Sequence, residues 1–187
     1  MISRERILKA LDHQESDRIP RDLGGTESSG MTANSLFKLC TYLHIPTTLK
    51  IFEPYQYVAY ITDELKEKFK IDTANLTIEP RNWMKQINPF NFEVILPREW
   101  HEETCEDEST LVRSKDGKVV ARRPKDGHYF DTVNPPLETI TEPGLMAQYK
   151  ETIFSFDLPS FADESVEHLQ SRAEVLYKRD KCTCGQA

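Results

Sequence analysis

The chain has 187 residues, of which 38% are hydrophobic and 29% are charged, and this composition is typical of one globular domain. Its net charge of −7 argues against a nucleic-acid partner, because phosphate binding needs clustered Lys and Arg. No stretch approaches the roughly 20 apolar residues that cross a bilayer, and the charged N-terminus lacks the apolar part of a signal peptide. We therefore expect a cytoplasmic protein that binds neither nucleic acid nor membrane, with its four cysteines mostly reduced.

The first half of the chain predicts alternating helices and strands. A helix is expected over 4–12 and a short strand over 19–23, followed by a second helix over 33–44. A third helix is expected to begin near Pro54, and a strand over 71–80 follows it. The apolar face of the first helix is formed by Ile7, Leu8 and Leu11. The apolar face of the second is formed by Leu36, Leu39, Cys40 and Leu43. This order favours an α/β fold with a parallel sheet.

The middle of the chain changes to short β-strands. Residues 92–133 are rich in strand formers, and the pair Asp116-Gly117 between two such runs predicts a β-hairpin. Asp126-Gly127 marks a second turn. A short helix is expected from Pro143 to about 151, and a last helix over 163–178. The middle therefore indicates an antiparallel excursion from an α/β core.

Four segments follow one another in a characteristic order: "SRERILKALDHQESDRIPRDLGG", "LKEKFKIDTANL", "DGHYFDTVNPPLETI" and "LQSRAEVLYKRDK". Together they resemble the uroporphyrinogen decarboxylase family, and in particular its methyltransferase-like branch. The resemblance implies the N-terminal part of a (β/α)8 TIM barrel with an antiparallel β-hairpin excursion. The chain would then be one partial barrel domain. Its strand–helix units would occupy 1–91, the excursion 92–140, and the helices leading to the next strand 141–187.

A barrel of this kind typically needs about 250 residues, more than this chain has. A half-barrel would expose sheet edges and apolar helix faces. We therefore expect either a homo-oligomer or a complementing C-terminal half on a second chain.

The resemblance places the glycine-rich loop "LGGTESSG" at the mouth of the barrel. Its glycines would let the backbone approach a ligand, and its hydroxyl groups would donate hydrogen bonds. The expected substrate-binding residues are Asp22, Gly24, Gly25, Thr26, Ser28 and Ser29. The alternative is a glycine-hinged turn that serves only to cap the next helix.

The decarboxylases of the family hold their tetrapyrrole carboxylates with two arginines. The corresponding positions here are Gly25 and Ser29, and Arg21 would be a poor substitute. Glu79 stands where those enzymes place a catalytic aspartate, so it is the candidate catalytic residue. The loop fits the methyltransferase-like branch better, which implies corrinoid-linked methyl transfer to a small acceptor. The alternatives are a tetrapyrrole decarboxylase and a non-catalytic half-barrel that assembles with a partner chain.

The resemblance implies a corrinoid (methylcobalamin) and zinc, with a small molecule or a corrinoid protein as substrate. In the thiol methyltransferases of the family, zinc activates the acceptor as a thiolate, and its ligands lie in the C-terminal half. Cys182 and Cys184 offer only two thiols here, whereas zinc takes four ligands, or three and a water. We therefore expect neither a metal nor a cofactor to be held by this chain alone.

Overall fold

The computed structural model describes residues 1–77, 82–88, 90–114, 116–135, 137–138, 141–142, 147, 149–150 and 166–185. The helices in these ranges are α1 (Ser3–Leu11), α2 (Ala33–Tyr42), α3 (Asp63–Lys68) and α4 (Val166–Tyr177). The strands are β1 (Met31–Thr32), β2 (Leu49–Glu53), β3 (Val58–Ala59), β4 (Thr73–Leu76), β5 (Trp83–Ile87), β6 (Glu93–Pro97), β7 (Glu102–Thr104), β8 (Thr110–Arg113), β9 (Val119–Arg123), β10 (Asp131–Thr132) and β11 (Cys182–Gly185). None of these helices is long and apolar enough to span a membrane.

Two strands that are distant in the sequence, β4 and β11, form a parallel pair. Cys182 lies opposite Thr73 and Cys184 lies opposite Asn75. Helix α4 comes directly before β11 and packs against both strands, as the crossover helix of a parallel β/α unit does. Within the described ranges this parallel sheet has two strands and does not close into a barrel. The barrel stays a prediction.

A second sheet has five strands, in the order β1-β3-β2-β6-β5. Its pairs are antiparallel except for β2 with β6. Alternating apolar residues of β2 and β6 point into the core, and helix α2 covers the sheet with Leu36 and Cys40. The sheet runs from Met31 to Pro97. The antiparallel part therefore begins about 60 residues earlier than the expected start at 92.

The third sheet has four antiparallel strands, in the order β10-β9-β8-β7. The hairpin predicted at Asp116-Gly117 is confirmed, because β8 pairs with β9 across it and Gly117 has a φ of +83°. Trp100, which is fully buried, packs edge-on against Tyr55 at 4.9 Å and Phe130 at 5.2 Å between ring centroids. Trp100 therefore packs between Tyr55, in the 53–57 turn, and Phe130, which precedes β10.

Two elements differ from the sequence prediction. No helix begins at Pro54, because the carboxylate of Glu53 accepts hydrogen bonds from the backbone N–H groups of Tyr55 (2.9 Å) and Gln56 (2.7 Å) and closes a turn. The helix starts only at Asp63, where the preceding Thr62 caps it. Residues 19–23 do not form a strand either, since a single backbone bond joins Arg21 to the edge of β4.

The first helix also presents a different face from the one expected. Leu8 is 50% exposed and Leu11 is 69% exposed, whereas Arg6 is buried. The reason is electrostatic, since Asp17 and Asp72 pair with the Arg6 guanidinium and draw that side of the helix inward. The apolar face predicted to be buried is thus largely exposed.

Other expectations are confirmed. Helix α2 agrees with the predicted 33–44, and Cys40 is a buried core thiol. Helix α4 agrees with the predicted last helix over its described part, 166–177. The predicted strand over 71–80 is observed as β4, and residues 78–80 lie outside the described residues. Most of the helix expected from Pro143 to about 151 also lies outside them.

Candidate functional site

The glycine-rich loop lies against β4 and is fixed there by side-chain hydrogen bonds. The Asp22 Oδ1 atom accepts a bond from the Gly25 N–H at 3.0 Å and one from the Thr73 hydroxyl at 2.5 Å. Farther along, the Asn75 amide donates to the Gly25 carbonyl at 3.4 Å. Charge-assisted bonds such as those of Asp22 are the stronger kind. The loop is therefore held in one place beside the strand.

Both central glycines are required by close packing within the chain. A Cβ atom at Gly25 would lie 2.6 Å from Asp22 Oδ1 and 2.9 Å from Thr73 Cβ. Gly24 has a φ of +73°, and a Cβ there would lie 2.5 Å from Ile61 Cγ1. The close approach that these glycines permit is thus to side chains of this same protein. Their direct contact with a ligand stays a prediction.

The loop hydroxyl groups divide into two kinds. Ser29 Oγ accepts a bond from the Thr26 N–H at 3.1 Å and lies 3.4 Å from the Thr26 hydroxyl. These two side chains therefore stabilise the loop itself. Ser28 is exposed. Of the three predicted hydroxyl donors, Ser28 is the one placed to meet a solute without breaking a bond within the loop.

A row of polar side chains runs along one face of β4. Thr73, Asn75 and Thr77 alternate with apolar residues, and the Thr77 hydroxyl donates to Asn75 Oδ1 at 2.6 Å. The Tyr60 hydroxyl lies 3.4 Å from the Thr77 hydroxyl. The sequence analysis predicted the strand but did not identify these polar residues as part of a site. The signal was the spacing of polar residues in "DTANLT".

Cys184 shares this polar face, because its partner in the parallel register is Asn75. Burial raises the pKa of the Cys184 thiol, and the negative charge of Asp22 raises it further. The raised pKa favours the protonated thiol, which is a weaker nucleophile than the thiolate. Among the described residues, no three His, Cys, Asp or Glu side chains are grouped to hold a metal ion. Cys182 and Cys184 alone supply two ligands, whereas the implied zinc takes four, or three and a water.

We call the loop 22–29 together with Tyr60, Thr73, Asn75, Thr77 and Cys184 the loop–strand site. It brings together the predicted residues Asp22, Gly24, Gly25, Thr26, Ser28 and Ser29 with Tyr60, Thr73, Asn75, Thr77 and Cys184, which were not predicted. Glu79, the candidate catalytic residue, lies outside the described residues. The Arg21 guanidinium donates to the Phe69 carbonyl at 3.0 Å.

A buried ion-pair network positions the segment that leads into this loop. Asp72 is fully buried, and its carboxylate accepts bonds from the guanidinium of Arg6 at 2.6 Å and from that of Arg18 at 2.8 and 2.9 Å. The Arg21 N–H donates to it as well, at 2.9 Å. Arg6 also holds Asp17, at 2.6 and 2.8 Å. Asp17 and Arg18, the "DR" of "DRIP", therefore have a structural role, because they fix this segment through their bonds to Arg6 and Asp72.

Acid is expected to weaken this network. The hydrogen bond from Arg6 lowers the pKa of Asp17 from its ordinary 3.8 to about 2. Burial would raise the pKa of Asp72, but the bonds from Arg18, the Arg21 N–H and Arg6 outweigh it and lower that pKa. Both folded-state pKa values lie below the unfolded ones. Their contribution to stability is therefore fully present above about pH 4 and is lost as the pH falls toward 2.

The check is urea unfolding between pH 5 and pH 2, followed by circular dichroism. The wild-type midpoint should fall over this range, and Asp17→Asn should reduce the slope. An unchanged slope in Asp17→Asn would contradict the role given to Arg6 and Asp17.

Replacing Thr73 with valine should detach the loop from β4. The substitution keeps the shape of this buried side chain but removes its hydrogen bond to the Asp22 carboxylate, and a bond to a charged group contributes about 1.5–3 kcal/mol. We expect a stability loss of that size and faster proteolytic cleavage within residues 22–29. Thr104→Val, at an exposed position of β7, is the matched control. Equal effects of the two variants would rule out the anchoring role of Thr73.

The loop–strand site therefore offers neutral hydrogen-bonding groups beside a parallel strand pair, with Asp22 as its charged member. Its guanidinium neighbours are engaged elsewhere, since Arg21 binds a backbone carbonyl and Arg18 binds Asp72. Compared with known proteins, the chain matches no protein-family model, no curated protein and no solved structure.

Proposed function

We propose that this chain is the N-terminal part of a (β/α)8 barrel of the uroporphyrinogen decarboxylase type, and that it takes part in corrinoid-linked methyl transfer to a small acceptor in the cytoplasm. The observation that supports this proposal most directly is the backbone bonding of three chain segments at Asp72. The Asp72 N–H donates to the Arg21 carbonyl at 2.8 Å, and the Cys182 N–H donates to the Asp72 carbonyl at 2.9 Å. Backbone bonds of Asp72 thus connect the segment before the loop and β11 to the start of β4, and this connection supports a barrel in which these segments are neighbouring strands.

The direction of the first segment supports the same arrangement. Arg21 bonds to Asp72, Asp22 bonds to Thr73, and Gly25 bonds to Asn75, so the two segments advance together. They are therefore parallel. In a parallel barrel, the loops after the strands form the active site. The loop 22–29 is such a loop, and it would contribute one wall of a ligand site.

The chemistry of this wall favours methyl transfer over decarboxylation. A tetrapyrrole with several carboxylates needs cationic partners, and Gly25 and Ser29 supply none. The wall is formed by the neutral side chains of Asn75, Thr77 and Tyr60, which bond to the loop and to one another, and its exposed Ser28 hydroxyl can donate to a neutral acceptor. A bound methylcorrinoid would supply the methyl group. This chain's own residues would position the acceptor.

The proposal is tested by titrating the full chain separately with methylcobalamin and with uroporphyrin and following visible absorption. One wall of a site is not expected to retain a corrinoid, so we expect weak but saturable binding of methylcobalamin, still at least tenfold tighter than binding of uroporphyrin. Asn75→Ala should weaken it several-fold, whereas Asn82→Ala, at an exposed position, should not. Tighter binding of uroporphyrin would favour the decarboxylase, and binding of neither would overturn the proposal.

A second candidate function is a non-catalytic half-barrel that assembles with another chain, and the exposed face of α1 favours it. Leu8 and Leu11 are 50% and 69% exposed on the same side of this helix. Contiguous apolar surface of this kind marks interaction sites. Within the described ranges the parallel sheet also consists of β4 and β11 alone, whereas parallel sheets are usually buried on both faces. Assembly would cover both features.

Sedimentation velocity at micromolar concentration tests this assembly. The wild-type chain should form dimers or larger species, and the double variant Leu8→Gln, Leu11→Gln should shift the population to monomer by removing apolar contact area. Tyr42→Gln, at an 80% exposed position of α2, is the control and should leave the association unchanged. A compact wild-type monomer at all concentrations would exclude assembly through this face.

A further inference from the structure

A small cavity lies in the antiparallel part of the chain, and its lining residues belong to β8, β9 and the segments beside them. It has a volume of about 240 Å³. Its polar and charged lining comes chiefly from Thr110, Arg123, Lys125 and Glu108, and its ring-bearing lining from Phe90 and His128. None of these residues belongs to the loop–strand site, so the cavity has no role in the function proposed above.

The unusual member of this lining is Arg123. Its side chain is 97% buried, since only 3% of it is exposed. Its Nη2 atom donates to the Thr110 hydroxyl at 3.1 Å, and the nearest Glu102 carboxylate oxygen is 3.7 Å away, beyond hydrogen-bond distance. Its Nη1 atom is buried and has no hydrogen-bond partner among the described residues. A guanidinium has five N–H donors, and buried donors are normally paired.

The surroundings stabilise the charge of Arg123 without supplying the missing acceptor. The guanidinium carbon lies 4.6 Å from the ring centroid of Phe130, which is a favourable cation–π distance. Glu102 is close, but one of its oxygens already accepts a bond from the Trp100 indole N–H at 3.0 Å. Arg123 lines the cavity but its Nη1 atom is covered, so an oxygen acceptor that enters from solution would reach Nη1 only after a small side-chain shift, and a charge-assisted bond would then stabilise that arrangement.

We propose that this cavity binds a small monocarboxylic acid whose carboxylate accepts hydrogen bonds from Arg123. The volume corresponds to about eight water molecules, which fits an acid of a few carbon atoms or a single ring. The Phe90 and His128 rings stack with centroids 5.8 Å apart and form an apolar surface for the body of such an acid. Lys125 contributes a second cation at the rim, where it pairs with Glu108 at 2.5 Å.

The charge of the lining selects a carboxylate over a phosphate. Besides the two cations, the lining includes the carboxylates of Glu108 and Asp126. These two carboxylates offset the charge of the two cations, so the lining has no excess of positive charge that would favour a doubly charged phosphate. A carboxylate also matches the planar fork of a guanidinium. The occupant is thus a monoanion with a short apolar body.

The test is thermal unfolding of the full chain in sodium propionate, sodium benzoate, sodium phosphate or sodium chloride at equal ionic strength. Ligands that bind only the folded state raise the midpoint in a saturable way. We expect propionate or benzoate to do so with a Kd on the order of 1 mM, which is ordinary for so few atoms. Phosphate and chloride should give no saturable rise. A flat response to both carboxylates, or a stronger response to phosphate, would overturn the proposal.

Variants locate the binding. Arg123→Lys keeps a positive charge but removes the fork, and it should weaken carboxylate binding at least tenfold. Lys125→Gln, at a half-exposed position, should weaken carboxylate binding several-fold. This variant tests the proposal if Arg123→Lys does not fold. Lys118→Gln, at an exposed position beside the other turn, is the control and should bind as the wild type does. Wild-type affinity in Lys125→Gln and Arg123→Lys would place any binding elsewhere.

Discussion

Replacing Asp72 with alanine is expected to lower the free energy of unfolding by about 3–5 kcal/mol, the usual cost of removing one partner from a buried ion pair. The Asp72 carboxylate is fully buried and neutralises Arg6, itself buried, and Arg18. Without it, these guanidinium groups would remain close together and lack their main acceptor. The segment before the loop would also lose the bond from the Arg21 N–H.

Urea unfolding followed by circular dichroism measures this loss. Glu103→Ala is the control, since Glu103 is an exposed residue of β7 paired with Arg113, and such surface pairs contribute about 0–1 kcal/mol. A loss below about 1 kcal/mol in Asp72→Ala would show that the network is dispensable. The position of the loop–strand site would then need another explanation.

Replacing Trp100 with alanine should cost about 3–5 kcal/mol, as expected for truncation of a buried aromatic residue. Trp100 is fully buried and packs edge-on against Tyr55 and Phe130. Its indole N–H also donates to Glu102 at 3.0 Å. The substitution would leave a cavity among these rings and an unpaired acceptor.

Near-ultraviolet circular dichroism and urea unfolding together measure this effect. Trp83→Ala is the matched control, because Trp83 is only half-buried on β5, where its ring lies 3.9 Å from the Lys50 ammonium. We expect Trp83→Ala to cost less than half as much. If the two substitutions cost the same, Trp100 does not have the central packing role that its position indicates.

Local sequence signals predicted the local elements well. The apolar spacing of Leu36, Leu39, Cys40 and Leu43 placed α2, because a helix that covers a sheet needs one continuous apolar face. Asp116-Gly117 placed the β8–β9 hairpin, since a two-residue turn requires a residue with positive φ. Both signals lie within a few residues of the structure that they specify.

The errors arose where distant residues decide the outcome. The apolar face of α1 was expected to be buried, but Arg6 is drawn inward by Asp72, which lies 66 positions away in the chain. A helical pattern alone cannot reveal such a partner. The missed turn at Pro54 is an exception with a local cause, because the Glu53 carboxylate competes with helix formation for the N–H groups of Tyr55 and Gln56.

The loop–strand site was half predictable. The glycine-rich loop was found because its composition is unusual, and Asp22 was included with it. Thr73 and Asn75 were not predicted, because their hydrogen-bond partners, Asp22 and Gly25, lie about 50 positions away in the chain. Cys184 reaches the same face through a pairing that spans more than 100 residues, which no local pattern encodes.

Asp72 has a consequence for the order in which the chain assembles. Through its carboxylate, N–H and carbonyl it contacts Arg6, Arg21 and Cys182, so its bonds close chain loops of about 50 to 110 residues. Closing such loops costs entropy before any bond forms, whereas the hairpins of the antiparallel sheets close over only a few residues. We therefore expect the hairpins β5–β6 and β8–β9 to form early. The parallel pair β4–β11, which belongs to the loop–strand site, should form last, because it requires Cys182 to pair beside Asp72.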